Sequence, residues 1–418
     1  TRSTQRTSAI TTSALQQDNY FMSNSFVLVI NSGSSSLKFA VIDSETGEAL
    51  VSGIGECFGL PEAEISWKYQ GEKTVEAIPA GGNHHQYAVE RVVKLLETLG
   101  LSSKFVAVGH RIVAGGETFK GTVKVDETVI QEVERLAELA PLHNKANAEG
   151  MRAAMAAFPS LPQFAVFDTA FHQTMPAKAF MYALPYELYE EHKVRRYGAH
   201  GTSHYYVSRE AAKMLDKPVE ESSFITVHLG NGASVSAVKN GECVDTSMGL
   251  TPLAGLMMGT RCGDLDPSVI EFLFRKGWEK DEVFEMMNKK SGFLGVSGVT
   301  SDARGVLEAM EAGNSRAKLA FEIFTYRVAK YITSYLAALD SLDGIIFTGG
   351  IGENSLPIRR EILKNLKLLG FVEDQKGNED ARFGNAGVIA TSELLGAKAL
   401  VIPTNEEFVI AKQSVELL

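Results

Sequence analysis

The stretch Asn31-Ser32-Gly33-Ser34-Ser35-Ser36-Leu37-Lys38 gathers hydroxyls, backbone N–H groups and one ammonium in a turn between two apolar runs, Phe26 to Ile30 and Phe39 to Ile42. Such groups suit an anionic phosphate chain, and they equally suit an ordinary solvated hairpin. The layout recurs between Phe224 and Val238, where an apolar strand runs into His228-Leu229-Gly230-Asn231-Gly232 and then into an alternating strand. A third turn, Thr348-Gly349-Gly350-Ile351-Gly352-Glu353-Asn354, follows the apolar Gly344 to Phe347. Glycines between a strand and a helix let a nucleotide approach the backbone, and a helix amino end favours negative charge. The order is neither that of a Walker A loop nor that of a Rossmann turn. Arg111, inside Gly109 to Gly116, ends a short buried strand. An arginine between glycines can meet a ligand with little obstruction, or can lie on a loop surface. Asp168 stands just past the strand Gln163 to Phe167, where open α/β sheets place functional groups and where an acid can also cap a turn. His200 and His204 have the spacing of a metal pair on a helix face, but Gly201 weakens a helix there and no acid lies between them. His84-His85 has no motif around it and reads as a solvated loop pair.

These groups need a scaffold, and the pattern from Ser25 onward is one of alternating strands and helices. Val89, Val92, Val93, Leu96 and Leu99 share one helical face, as do Val129, Ile130, Val133 and Leu136 in a helix stopped near Pro141. Ser315 to Leu339 is a long helix with Leu319, Ile323, Phe324, Val328, Tyr331, Ile332 and Tyr335 along its expected core stripe. The repetition of hairpin, further strand and helix in both halves predicts two related α/β domains facing each other, each with one phosphate-facing hairpin.

Composition narrows the partners. A chain of 418 residues exceeds the size at which one core keeps growing, so two domains are expected. Its 44% hydrophobic and 22% charged residues describe a globular protein with ample core. A net charge of -10 argues against nucleic acid and anionic membrane, which need clustered Lys and Arg. Cys57, Cys243 and Cys262 have no metal-ligand spacing and are expected as free thiols in a reducing compartment. Residues 1–22, rich in Thr, Ser and Gln, are expected to be an extension outside the fold.

Taken together, Asn31 to Lys38, Gly109-His110-Arg111, Phe167 to His172, His200-Gly201-Thr202-Ser203-His204, His228 to Gly232, Gly259-Thr260-Arg261, Gly349 to Asn354 and Thr404-Asn405-Glu406-Glu407 resemble the acetokinase family, the acetate kinases. The likeness runs in order from about Ser25 to the C-terminus. It implies an α/β fold of two duplicated actin-like (ribonuclease H-like) domains with a nucleotide cleft between them. The expected division is 23–172, with 404–418 packing back on it, and 173–403. It also implies reversible transfer of the ATP γ-phosphoryl group to acetate, giving acetyl phosphate and ADP, in a cytoplasmic homodimer. Propionate or butyrate is the alternative acceptor, and a nucleotide-switched chaperone or filament ATPase the alternative class.

The resemblance also assigns roles. Asn31 and Glu406 would hold Mg²⁺, with Mn²⁺ as a possible substitute, and Lys38 would lie near the phosphates. Arg111 would bind the substrate carboxylate, with Val113, Leu142 and Pro252 lining the acyl pocket. Asp168 matches the family's acid/base position, although a carboxylate nucleophile scarcely needs deprotonation near neutral pH, so an orienting task for Arg or metal-bound water is expected. His200 and Arg261 match the transition-state stabilisers. His228, Leu229, Gly230, Asn231 and Gly232 would face the ATP phosphates. Asp302, Ala303 and Arg304, with Gly350, Ile351, Gly352, Glu353 and Asn354, would form the adenosine side. Two departures from the family pattern, Ala114 and Ala199, remove a donor and reshape the acyl pocket respectively.

Overall fold

In the first half of the chain, β1 (Phe26–Ser32), β2 (Leu37–Asp43), β3 (Ala49–Glu56), β4 (Glu64–Tyr69), β5 (Glu72–Ala77), β6 (Phe105–Ile112), β7 (Val123–Lys124) and β8 (Gln163–Phe167) form one mixed sheet, in the order β5-β4-β3-β2-β1-β6-β8-β7. The computed structural model describes residues 25–141 and 143–418; the extension expected at 1–22 and Leu142 lie outside the described residues. A second sheet comprises β9 (Ser223–Leu229), β10 (Ala233–Lys239), β11 (Glu242–Thr246), β12 (Gly344–Thr348), β13 (Phe371–Glu373), β14 (Gly387–Ser392) and β15 (Lys398–Val401), in the order β11-β10-β9-β12-β15-β14-β13. The centres of the two sheets are alike. In each, an antiparallel hairpin (β1–β2, β9–β10) is followed outward by two strands parallel to its first strand, β6 and β8 or β12 and β15.

Central strands buried on both faces read as continuous apolar runs, and side-chain alternation sends the residues of each to opposite layers. Phe26, Leu28 and Ile30 meet α1 (His84–Thr98) through Val89, Val92 and Leu96. Against the same sheet pack α2 (Glu127–Arg135) and α3 (Asn144–Ala157), through Ile130, Val133, Ala148 and Met151. Val27 and Val29 face the other way. There they pack, with Ala107, Phe164 and Val166, on Ile410 and Ala411 of the last helix of the chain.

The second sheet is built in the same manner. One layer packs Phe224, Ile346 and Leu400 on Val207, Ala211 and Ala212 of α4 (Gly201–Met214). Its opposite face, with Ile225, Val227 and Phe347, is covered by Ala320, Phe324, Val328 and Ile332 of the long helix Ser315–Tyr335.

His84 and His85 are not a solvated loop pair. The Asn83 side chain caps α1, which brings both into its first turn. His84 is buried and its Nδ1 accepts the Gly59 N–H at 3.0 Å. His85 Nε2 lies 2.7 Å from the carbonyl of Gly33, in the first hairpin turn.

Candidate active site

The carboxyl ends of β1, β6 and β8 bring the first group of side chains together. β6 and β8 pair in parallel up to Ile112 and Phe167, so Arg111 and Asp168 emerge side by side despite their distance in sequence. Arg111 donates from Nε and Nη2 to the two Asp168 oxygens at 3.0 and 2.7 Å, a bidentate pair with the carboxylate almost fully buried. The carboxylate drives the Arg111 guanidinium above its ordinary value. Burial pushes the Asp168 carboxyl up and Arg111 pulls it back; two charge-assisted bonds to a permanently charged partner hold the pair as an ion pair.

The later part of the chain supplies α5 (Ser268–Arg275), α6 (Ala303–Glu311), α7 (Ser315–Tyr335), α8 (Gly349–Asn354) and α9 (Glu406–Val415), and Glu406 joins from the first turn of α9. Thr202 Oγ1 donates to its Oε1 at 2.8 Å. Burial alone would raise Glu406, but Arg111, His228, Thr202 and Lys38 outweigh it and hold the carboxyl below its ordinary value. Asn31 and Lys38 stand opposite each other at the end of the β1–β2 ladder. Among the described residues no group of three or more His, Cys, Asp and Glu side chains is arranged to hold a metal. Asn31 and the ionised Glu406 offer hard oxygens, a donor set compatible with an ion that draws its remaining ligands from phosphate and water.

The second group comes from the other half. His200 has φ 56° and ψ 24°, the left-handed region, immediately before α4. For a non-glycine residue this conformation costs about 1–2 kcal/mol, so neighbouring contacts must hold it. The Gly201 N–H donates to the Asp168 carbonyl at 2.8 Å, and a Cβ on Gly201 would lie 2.3 Å from that oxygen. His200 Nδ1 meets Ser234 Oγ at 2.9 Å, and its ring stacks on His228 with centroids 4.2 Å apart. His204 uses both ring nitrogens on hydroxyls, Thr226 Oγ1 at 2.7 Å and Ser234 Oγ at 2.8 Å. Ser234 has one proton and two imidazole neighbours, so it donates to one and accepts from the other. His200 is driven well below its ordinary value by burial first, then by His228, His204, Arg111 and Arg261. It is therefore neutral at physiological pH.

Arg261 is a half-buried guanidinium with no carboxylate partner among the described residues. Its Nη1 donates to the Pro252 carbonyl at 2.8 Å. Its Nη2 lies 3.3 Å from the place a Cβ on Gly232 would occupy, and His200 Nε2 lies 3.5 Å from the same place. Gly232 thus fronts an imidazole and a guanidinium at once, within a turn closed by Gly230 N–H donating to the Gly232 carbonyl at 2.9 Å. Gly259 donates to the Asn231 carbonyl at 3.0 Å. Gly349, at φ +76°, packs its α-carbon against the Leu229 backbone, where any Cβ would come within 2.7 Å of the carbonyl oxygen. The second hairpin and the third glycine turn are therefore neighbours.

Several sequence candidates are placed so that only their backbone can face a ligand. Leu229 and Ala303 point into the second core. The Glu353 carboxylate accepts the N–H groups of Gly349 at 2.9 Å and Thr404 at 3.0 Å, tying the third turn to the segment that leads to Glu406. Asn354 donates to the Gly350 carbonyl at 2.9 Å and accepts the Phe383 N–H at 3.0 Å. Gly350 has open space in front of it, Gly352 is buried, and Ile351 packs half-buried on the second core. Asp302 and Arg304 form an exposed ion pair at 2.6 Å where α6 begins. Val113 lies just beyond β6, and Ala114 and Ala199 are both buried.

Thr202, Ser203 and Ser234, to which the sequence assigns no role, hold Glu406, His228 and the His200–His204 pair. The signal for Ser234 and Ser236 was a pair of hydroxyls two residues apart in an otherwise apolar strand, a sign of a buried polar layer.

Duplicated sheets that share one central strand order, each built on an antiparallel hairpin, define an actin-like α/β fold. Comparison with known proteins is more specific. The model of the acetokinase family matches residues 26–412, and the chain belongs to that family. It is 76% identical over 397 residues to Acetate kinase 2 of Vibrio cholerae, covering 95% of this chain and 100% of that protein. It is 57% identical over 400 residues to an acetate kinase of Shewanella baltica, again covering 95% of this chain and all of the relative. Among solved structures it resembles a propionate kinase from Francisella tularensis (TM-score 0.89, 43% identity, 94% of this chain and 100% of that one). An acetate kinase from Porphyromonas gingivalis is similarly close (TM-score 0.88, 42% identity, 94% and 99%).

Proposed function

We propose that the chain is a kinase that reversibly transfers the γ-phosphoryl group of ATP to acetate, giving acetyl phosphate and ADP. The observation that carries the reading is the facing of two unlike cationic sites. Arg111, oriented by Asp168, presents a planar guanidinium suited to a carboxylate. Arg261 and the neutral His200 face Gly232 of the second hairpin from one side. The two sites adjoin at Gly201, next to His200, where the Gly201 N–H donates to the Asp168 carbonyl at 2.8 Å.

In this reading a carboxylate oxygen of acetate attacks the γ-phosphorus in line, the bond to the ADP oxygen breaks, and the electron pair leaves with ADP. Acetate is ionised near neutral pH and no proton has to be removed, which leaves Asp168 to orient Arg111. Charge on the equatorial oxygens of the transferring group is met by Arg261 and His200. The turn His228 to Gly232 cradles the phosphates, with Lys38 opposite, and the adenosine lies toward Asp302 to Arg304 and Gly350 to Asn354. A bound Mg²⁺, or Mn²⁺ in its place, supplies charge neutralisation on the phosphates, and Asn31 and Glu406 would hold it. In this reading Val113 and Pro252 line the acyl pocket.

The same reading divides the chain into 23–172 with 404–418, and 173–403. It makes the protein a homodimer: α5 buries none of its residues and exposes Val269, Phe272 and Phe274, beside exposed Trp278, an apolar face that a second copy would cover. Among the described residues no helix is long and apolar enough to cross a membrane. Three free thiols support a reducing, cytoplasmic setting.

Propionate is the expected second acceptor, because one methylene in a small apolar pocket changes selectivity by only about 1–3 kcal/mol. The test traps acyl phosphate as its hydroxamate with ATP and acetate, propionate or butyrate in turn. Acetate is expected to give the highest kcat/KM. No product with any acid, or ATP hydrolysis indifferent to all three, refutes the reading.

A further inference from the structure

The helix α3 carries two buried asparagines one turn apart, and their amides point at strand ends. Asn147 donates from Nδ2 to the Ser32 carbonyl at 2.7 Å, and its Oδ1 accepts the Val113 N–H at 3.1 Å. The backbone ladder between β1 and β6 stops at Ile30 and His110. Beyond it, β1 runs into the turn that starts at Asn31 and Ser32, and β6 runs into Arg111 and Val113. One side-chain amide therefore continues the pairing where the two main chains no longer bond, with its donor on one and its acceptor on the other. The close approach needs Gly150 one turn along, since a Cβ there would lie 2.1 Å from Ser32 Oγ. Asn144 makes bonds of the same kind, to the Ala114 N–H at 3.1 Å, the Ala114 carbonyl at 2.9 Å and the Val133 carbonyl at 3.1 Å. None of its bonds reaches β1.

We propose that Asn147 is a positioning residue that fixes the spacing between the phosphate-side turn at Asn31–Ser32 and the carboxylate-side Arg111, so that donor and acceptor meet in line. The inference rests on the acyl-phosphate reading above. It concerns alignment and not affinity: each substrate keeps its own contacts when Asn147 is altered, while the geometry between them loosens. A misplacement of about 1 Å in such a reaction costs on the order of 100-fold in rate.

The test compares three variants for kcat, both KM values and thermal midpoint in the hydroxamate assay. Asn147→Asp keeps the volume and the acceptor for Val113 but cannot donate to Ser32. Asn147→Ala removes both bonds without adding charge and serves if the first variant fails to fold. Asn144→Ala is the control on the same helix. The folded Asn147 variants are expected to lose about 10-fold or more in kcat with KM for acetate and ATP within about threefold. Asn144→Ala is expected to lower the thermal midpoint as much with kcat within about threefold. An Asn147 variant with near-normal kcat, or an equal kcat loss in Asn144→Ala, overturns the inference. Absence of hydroxamate from the unaltered protein refutes the proposed function instead, so the two failures are distinct.

Discussion

Lowering the pH from 7.5 to 5 should destabilise this protein through histidines that the fold keeps neutral. Burial holds His110 and His172 down to about 4, against an ordinary value of 6.5. His110 is fixed to Gln163 at 2.7 Å, and His172 lies between Cys243 and the Ala199 carbonyl, at 3.1 and 2.7 Å. In the window from 6.5 down to 4 the unfolded chain binds a proton at each site and the folded chain does not. The unfolding free energy then falls as pH falls, by about 1.4 kcal/mol per pH unit for each histidine. At pH 5 this amounts to about 2 kcal/mol per histidine, or about 4 kcal/mol for the two, relative to pH 7.5. His200 and His204, displaced the same way, steepen the loss. Glu406 acts in a lower window, since a depressed carboxyl contributes stability that is lost only below its ordinary 4.5. Urea unfolding at pH 7.5, 6.5, 5.5 and 5, followed by circular dichroism, measures the slope, and His172→Gln should reduce it by about one proton. A flat unfolding free energy across this range, or an unchanged slope in the variant, refutes the reasoning.

Two substitutions test the site itself. Arg261→Ala should lower kcat by on the order of 100-fold or more while the KM for ATP changes little, because its Nη2 faces Gly232 beside His200; near-normal turnover in steady-state kinetics would remove it from the transfer step. Arg111→Ala should raise the acetate KM and destabilise the fold by about 3–5 kcal/mol, since it strands a buried carboxylate. Adding Asp168→Ala should restore part of that stability without restoring acetate binding, and a double variant no more stable than the single one in urea would show that the pair is not the source of the loss.

What the sequence disclosed, and what it hid, follows from the range of the interactions. Both hairpins were legible because strand alternation and a Gly/Ser turn are local chemistry, and the second copy reinforced the first. The Arg111–Asp168 pair could be suspected only as two isolated strand ends; their adjacency is created by the parallel pairing of β6 with β8, which no local pattern encodes. His204 had helix spacing with His200, yet its nitrogens turn to hydroxyls of β9 and β10, elements that lie further along the chain. The bond from the Thr404 N–H to the Glu353 carboxylate is equally remote in sequence and has no local signal. His84 and His85 lie in a helix because the Asn83 side chain caps it, and an Asn after two glycines reads equally well as a turn.

The helix α9 closes the face of the first sheet formed by Val27, Val29, Ala107, Phe164 and Val166, using Ile410 and Ala411 from the end of the chain. During synthesis, which proceeds from the amino end, those side chains wait uncovered until the segment that carries Ile410 and Ala411 has emerged, an interval in which exposed apolar strands invite aggregation. The helix that seals them also delivers Glu406, so the first sheet cannot complete its hydrophobic packing without also acquiring that carboxylate beside Arg111.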